Sequence, residues 1–204
     1  MPSASHIYEV RGEHVRVKDS LAVYLLVREE LADGMLDERE RVELLFLMVL
    51  EEPQQFADTF GAHATDALAD VLWDAFGIDV NGDKPHEEQV MDWDEDHDRI
   101  VVTARSAYGM SFDDLKDTQY REAAVLMGLA PHETPMGQAL YYRLASPPKQ
   151  TKYNKEEVKA FKKAREFYKL GKPSKGKGSI ERMNAAATSE FDALAKRVTE
   201  NGRK

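Results

Sequence analysis

The sequence lacks several features that define common classes of protein. None of its 204 residues is cysteine, which excludes a disulfide framework, a thiolate metal site and a cysteine nucleophile. The longest apolar run, residues 44–50, is far shorter than the roughly 20 residues that cross a bilayer. Residues 1–9 lack the basic and apolar segments of a signal peptide. These absences predict a soluble, intracellular protein, and the length of 204 residues fits one domain plus an appendage or two small domains.

Motifs for catalysis and cofactor binding are also absent. The chain has no G-x-S-x-G, Walker A, G-x-G-x-x-G or H-E-x-x-H sequence, and no two of its histidines are spaced four residues apart. Residues 79–83 resemble the start of an EF-hand loop, but Lys84 replaces the required glycine and Val90 replaces the bidentate glutamate. We therefore expect a protein that is not an enzyme and that needs no metal and no cofactor.

Alternating aspartates from Asp92 to Asp98 form the other candidate for a metal or acid–base site. His97 stands where a calcium loop needs glycine, and the segment leads directly into a predicted helix. Acidic side chains in a first helical turn are stabilised by the helix dipole. We interpret the run as a helix start.

The net charge of −9 hides a division of the chain. Residues 146–204 hold 16 Lys and Arg against 7 Asp and Glu, whereas residues 1–145 hold 12 against 30. A basic segment of this kind either meets an acidic partner or folds back on its own acidic body. Nucleic acid is the less favoured partner, because the acidic body repels a polyanion and the aromatic residues within 149–177 fall at helical spacing.

Apolar periodicity predicts a mainly α-helical fold. β-branched residues around Arg11-Gly12 predict a short N-terminal hairpin, with a frayed arm as the alternative. The apolar second half of the helix that starts near Asp37 is predicted to be buried, and one apolar period runs over residues 56–76. A further helix is predicted over 94–108. Caps are predicted at Asp19-Ser20, at Ser111 with Asp114 and at Thr134-Pro135, and a helix is predicted to restart at Asn154.

The chain divides into five predicted segments. They are an arm or hairpin (1–18), an acidic helical domain (19–145), a basic helix (149–170), a Gly/Lys linker (171–178) and a tethered amphipathic helix (179–204). The last helix carries a narrow apolar stripe suited to a partner groove, a sister helix or the chain's own domain. We assign partner binding to that stripe and to the lysines of the basic helix, namely Ile180, Met183, Ala187, Phe191, Leu194, Val198, Lys155, Lys159, Lys162 and Lys163.

Residues 92–170 carry an ordered set of short motifs. An acidic helix start leads to Tyr108-Gly109, and a capped helix then ends at Gly128-Leu129. The motifs that follow are, in order, Thr134, Met136-Gly137, Tyr142-Arg143, Asn154-Lys155 and Tyr168-Lys169-Leu170. This order resembles the tail assembly chaperones of long-tailed bacteriophages, which are encoded between the major tail protein and the tape-measure protein.

The resemblance implies a non-catalytic helical protein of the host cytoplasm. Its partner would be the tape-measure protein, a long and largely helical chain that it keeps soluble until tail-tube subunits polymerise around it. The stripe of residues 180–198 would grip that chain reversibly or serve self-association. A body that ends near Leu170 and continues into a linker and a helix also suits the frameshift-extended forms of such chaperones. The alternative function is a structural virion or nucleic-acid-binding protein that uses the basic C-terminal tail.

Overall fold

The protein is mainly α-helical, with a two-stranded antiparallel hairpin at its N-terminal end, and this confirms the predicted fold class. The computed structural model describes residues 5–32, 36–85 and 89–171. The strands are β1 (Ser5–Val10) and β2 (Glu13–Lys18). The helices are α1 (Leu21–Ala32), α2 (Glu38–Val49), α3 (Pro53–Phe60), α4 (Ala64–Phe76), α5 (His97–Tyr108), α6 (Phe112–Asp117), α7 (Tyr120–Gly128), α8 (Pro135–Leu144) and α9 (Lys155–Tyr168), with a short 3-10 turn at Gly61–His63.

The hairpin forms as predicted from its turn residues. Arg11 and Gly12 both have positive φ angles, 53° and 88°, as a two-residue turn between antiparallel strands requires. The strands pair from Ser5 opposite Lys18 to Val10 opposite Glu13. Strand alternation then buries Val10, Val15 and Val17 against the helices, whereas Ile7 is exposed.

The predicted caps at Ser111 and Thr134 form, and α9 begins after Asn154 as predicted but without a side-chain cap bond. Asp37 and Ser111 each form a capping box with the residue three positions later, and the Thr134 side chain accepts from the N–H of Gly137. The cap at Asp19-Ser20 is different, because Ser20 Oγ accepts only a long bond of 3.4 Å from the N–H of Val23. The carboxylate of Asp19 points away from the helix to a separate network described below.

Three predicted features differ in the structure. The apolar period over 56–76 is broken into α3 and α4 at Gly61, whose φ of 52° does not continue a helix. The helix predicted to start at residue 94 starts instead at His97, because the Asp92 carboxylate accepts the N–H groups of residues 94 and 95 and forms a turn. The second half of α2 is not buried all round: Leu45 and Val49 are buried, but Leu47 is 60% exposed because α2 packs on its neighbours from one side.

Two apolar clusters meet at α1. The first joins the hairpin to α2, α3 and α4 around Phe56 and Phe76, and the second joins α5, α6, α7 and α8 around Ile100 and Met127. Tyr24 of α1 packs against both clusters, and its ring stacks on Tyr120 with the ring centres 3.9 Å apart. The two clusters therefore share one aromatic contact and form a continuous core.

Candidate partner-binding site

Helix α9 is docked on α8 by aromatic side chains. The rings of Tyr142 and Tyr168 stack in parallel, with centres 5.4 Å apart, and Phe161 meets Tyr142 edge-on at 5.3 Å. Val158, which lies one turn before Phe161, is buried. The hydroxyl of Tyr168 also donates to Gln138 of α8 at 3.2 Å. One face of the predicted basic helix is therefore a packing face, as its aromatic spacing indicates.

A buried ion pair lies beneath the end of α9. Asp96 is fully buried, and its carboxylate accepts two bonds from Arg143, at 2.7 and 2.8 Å, in a bidentate arrangement. Arg99 donates a third bond at 2.7 Å, and the N–H of Asp92 donates a fourth at 3.1 Å. The charge of Asp96 is thus paired and its acceptor positions are filled, as a buried carboxylate requires.

The same arginine ties three segments together. Besides Asp96, the Arg143 guanidinium donates to the carbonyl of Val90 at 2.9 Å and to the carbonyl of Tyr168. The Tyr168 carbonyl lies at the C-terminal end of α9, where the helix dipole is negative. Arg99 lies over the Tyr168 ring at 5.4 Å. Two cations therefore hold the last turn of α9, and neither Asp96 nor Arg143 was predicted as an anchor from the sequence.

The opposite face of α9 carries the predicted binding lysines. Lys155, Lys159, Lys162 and Lys163 are all exposed, and within the described residues no carboxylate lies within 4.0 Å of their ammonium groups. Among the described residues, Glu166 of α9 pairs with Lys169, the residue that follows the helix, at 3.9 Å. The exposed face also includes Phe167, which is 69% exposed and was not among the predicted binding residues. The structure thus brings the four lysines together on one solvent-facing side.

The other predicted binding residues lie outside the described residues. They are Ile180, Met183, Ala187, Phe191, Leu194 and Val198. Their assignment to partner binding stays a prediction.

The two loops considered for metal binding use their carboxylates internally. Asp79 accepts the N–H groups of Lys84, Gly82 and Asn81 at 2.9, 2.8 and 3.2 Å, and these bonds, that of Lys84 foremost, lower the pKa of its carboxyl. Partial burial works to raise the pKa of Asp92, but the N–H of residue 95 and the nearby guanidinium of Arg28 outweigh it and leave the pKa lowered. Among the described residues, no three His, Asp or Glu side chains are grouped to hold a metal ion.

A second buried carboxylate joins the hairpin to the rest of the molecule. Asp19 is fully buried and accepts from the Tyr8 hydroxyl at 2.6 Å and from the Gln119 amide at 2.7 Å. The ring nitrogen Nδ1 of His6 lies 2.7 Å from the same carboxylate. The backbone carbonyl of Asp19 accepts the N–H of Tyr120 at 2.8 Å. Burial, followed by the bond to Asp19, raises the pKa of Tyr8 to about 12.

The motifs within residues 92–170 occupy positions with defined structural tasks. The Tyr108 hydroxyl donates to the carbonyl of Leu126 at 2.6 Å, and Gly109 ends α5 with a φ of 66°. Gly137 packs so closely that a Cβ there would lie 2.1 Å from the carbonyl oxygen of Pro131. These residues, with Arg143, fix α5, α7, α8 and α9 relative to one another.

No family model, curated protein or solved structure matches this chain. Within the part of the chain that the structure describes, none of the helices has the length and apolar character needed to cross a membrane.

Proposed function

We propose that this protein is a non-catalytic tail assembly chaperone of a long-tailed bacteriophage, which acts in the host cytoplasm. Its partner in this proposal is the tape-measure protein. The proposal starts from the ordered motifs of residues 92–170, whose resemblance to that family covers the segment from the start of α5 to the end of α9. A binding protein of this kind needs an accessible surface on a stable helical scaffold.

The observation that supports the proposal best is the division of α9 into two faces. Val158, Phe161 and Tyr168 attach the helix to the body, so that the lysine face stays accessible at a fixed position. A preorganised surface loses little conformational freedom on binding. Exposed ion pairs are individually weak, at about 0.2 to 1 kcal/mol each, so such a surface suits a grip that can later be released.

The test is co-expression with the tape-measure protein of the same phage. We expect the tape-measure protein, insoluble alone, to appear in the soluble fraction and to co-purify with the chain. The buried-pair variant Arg143→Met, which is expected to release α9, should reduce the rescue, whereas Arg165→Gln, an exposed change on the same helix, should retain it.

A second comparison, between the full chain and a shortened one, tests the tail. A chain that stops after Leu170 lacks the apolar residues of 180–198. We expect this shortened chain to keep less tape-measure protein soluble than the full chain does. Equal rescue by both would show that the tail has no part in binding. No rescue by the full chain under any condition would reject the chaperone function itself.

A further inference from the structure

Four exposed side chains of α9 repeat every four residues. They are Lys155, Lys159, Lys163 and Phe167, and we call them the α9 stripe. One step of four residues advances the helix by about 6 Å, so the stripe is about 18 Å long. It begins beside Val158, three residues after Lys155, and continues round the side of α9 that faces away from Phe161, which packs on α8.

The stripe is not compensated within the described part of the molecule. Like charges four residues apart on a helix repel each other and destabilise it. No carboxylate among the described residues lies within 4.0 Å of the ammonium groups of Lys155, Lys159 or Lys163. At the end of the row, Phe167 leaves 69% of its surface in contact with solvent, whereas the neighbouring Tyr168 is partly buried against Tyr142. Both the charge and the apolar end are therefore available to a partner.

The stripe is also held in place. Its helix is attached through the Tyr142–Tyr168 stack and through the bond from Arg143 to the Tyr168 carbonyl. Because Arg143 is bound in turn to the buried Asp96, the last turn of α9 has little freedom to reorient. A linear row of charges on a rigid helix selects a partner with a matching row.

We propose that the α9 stripe binds an acidic amphipathic helix, whose carboxylates recur every four residues and are followed one turn later by an apolar side chain. Three lysines in line complement three carboxylates on one face of such a helix, and Phe167 contacts the apolar residue at its end. The inference rests on the proposed function only in placing this acidic segment in the tape-measure protein. The binding of the acidic helix itself is independent of that assignment.

The arrangement favours a helix over a nucleic acid strand. Tyr153, which precedes α9, and Phe167, in its last turn, are exposed aromatic residues at opposite ends of a 14-residue helix about 21 Å long, too far apart for successive bases to stack on both. Glu156 and Glu166 also flank the stripe and repel phosphates, whereas each can accept from a lysine or arginine of a partner helix.

The experiment measures binding of the full-length chain to a fluorescent helical peptide. The peptide has glutamate at three positions spaced by four and leucine at the next, and its control has glutamine in place of each glutamate. We expect the glutamate peptide to bind at low salt and the glutamine peptide to bind at least tenfold more weakly. The triple variant Lys155→Gln/Lys159→Gln/Lys163→Gln should lose about tenfold in affinity for the glutamate peptide.

Two single variants complete the design. Phe167→Ala should weaken binding several-fold, because the apolar contact is lost while the charges remain. Arg165→Gln, which removes an exposed charge of the same helix outside the stripe, should bind like the original chain. All substituted side chains are exposed, so circular dichroism should show unchanged helix content.

The outcomes separate the candidate occupants of the stripe. Equal binding of both peptides, or equal binding by the triple variant, would overturn the proposal. If an oligodeoxythymidine displaces the peptide and binds more tightly, the stripe binds nucleic acid instead. If the peptide does not bind, and the chain self-associates in a way that the triple variant loses, the stripe binds a second copy of the chain. If the peptide binds through the stripe but co-expression rescues no tape-measure protein, the surface stands and the chaperone function fails.

Discussion

Asp19 and Asp96 are both fully buried carboxylates at junctions of helices, yet they are satisfied by different kinds of donor. Asp96 is held by two guanidinium groups, those of Arg143 and Arg99. Asp19 is held by a phenol, an amide and an imidazole ring, those of Tyr8, Gln119 and His6. The first site pairs charge with charge, whereas the second spreads one charge over polar groups.

The difference in donors predicts how much stability each junction loses when one of its partners is removed. Removing one partner of a buried ion pair leaves a charge without compensation, which costs more than losing one of several neutral donors. Arg143, the partner of Asp96, also donates to the carbonyl of Tyr168 at the end of α9. Loss of Arg143 therefore affects the candidate binding helix as well as the buried carboxylate. The Asp19 site joins the hairpin to α1 and α7 and is remote in sequence from α9.

Arg143→Met is expected to have the largest effect on stability. It leaves the Asp96 carboxylate buried with Arg99 as its remaining cationic partner, and breaking a buried pair in this way costs about 3 to 5 kcal/mol. Urea denaturation measures the free energy of unfolding. The exposed change Arg165→Met serves as control and should stay within about 0.5 kcal/mol of the original protein. A loss below about 1 kcal/mol for Arg143→Met would show that the pair does not anchor this junction.

Asp19→Ala is expected to cost less, about 2 kcal/mol. The substitution leaves the Tyr8 hydroxyl and the Gln119 amide without their acceptor, but both groups are only partly buried and can regain water. The same denaturation experiment compares this variant with Arg143→Met. If Asp19→Ala proves the more damaging of the two, the ranking of a charge-paired site above a polar network is wrong for this protein.

Tyr8→Phe should cost about 1 kcal/mol and should also change the response to alkali. The pKa of Tyr8 is raised to about 12 in the folded protein from an ordinary value of 10.0, so the neutral phenol is favoured by folding. Its contribution to stability is full below pH 10 and is lost as the pH rises through about 12. Difference absorbance of tyrosinate follows the titration, and Tyr8→Phe should remove one late-titrating group while leaving that of Tyr24, whose pKa is also raised by burial. If Tyr153→Phe, a change at an exposed tyrosine, also removed a late-titrating group, the late titration could not be assigned to Tyr8.

The sequence predicted the features that depend on neighbouring residues. The Arg11-Gly12 turn, the capping box at Ser111 and the cap at Thr134 each form from residues within three positions of one another, so that their chemistry is visible in a short window. The lysine face of α9 was predicted for the same reason, because helical periodicity alone separates its charged side from its aromatic side.

The buried carboxylates could not be predicted in this way. Asp96 meets Arg143 across 47 positions and Asp19 meets Gln119 across 100, and neither pair has a local signal. The run from Asp92 to Asp98 was interpreted as a helix start, which accounts for its place in the chain but not for the burial of one member. The exposure of Leu47 has a related cause, since which faces of α2 are covered depends on how distant elements pack.

The smallest effect is expected for Arg28→Gln, at the solvent-exposed rim of the Asp96 site. Arg28 bonds to Asp92 at 3.1 Å and to Asp94 at 3.2 Å, and because Arg28 is partly exposed and Asp94 is exposed, we expect these pairs to contribute about 1 kcal/mol. The pKa of Asp92 is lowered in the folded protein, so its contribution is present above the pKa of the unfolded chain and is lost as the pH falls through the folded value. Arg28→Gln should reduce this acid-labile part without abolishing it, because the N–H groups of residues 94 and 95 still bond to the carboxylate. Unfolding measured at neutral pH and at progressively lower pH, at low and at high salt, tests this directly. The difference between the two proteins should shrink in salt and as the Asp92 carboxyl becomes protonated, and a difference that persists through both would mean that Arg28 stabilises the turn by packing instead of by charge.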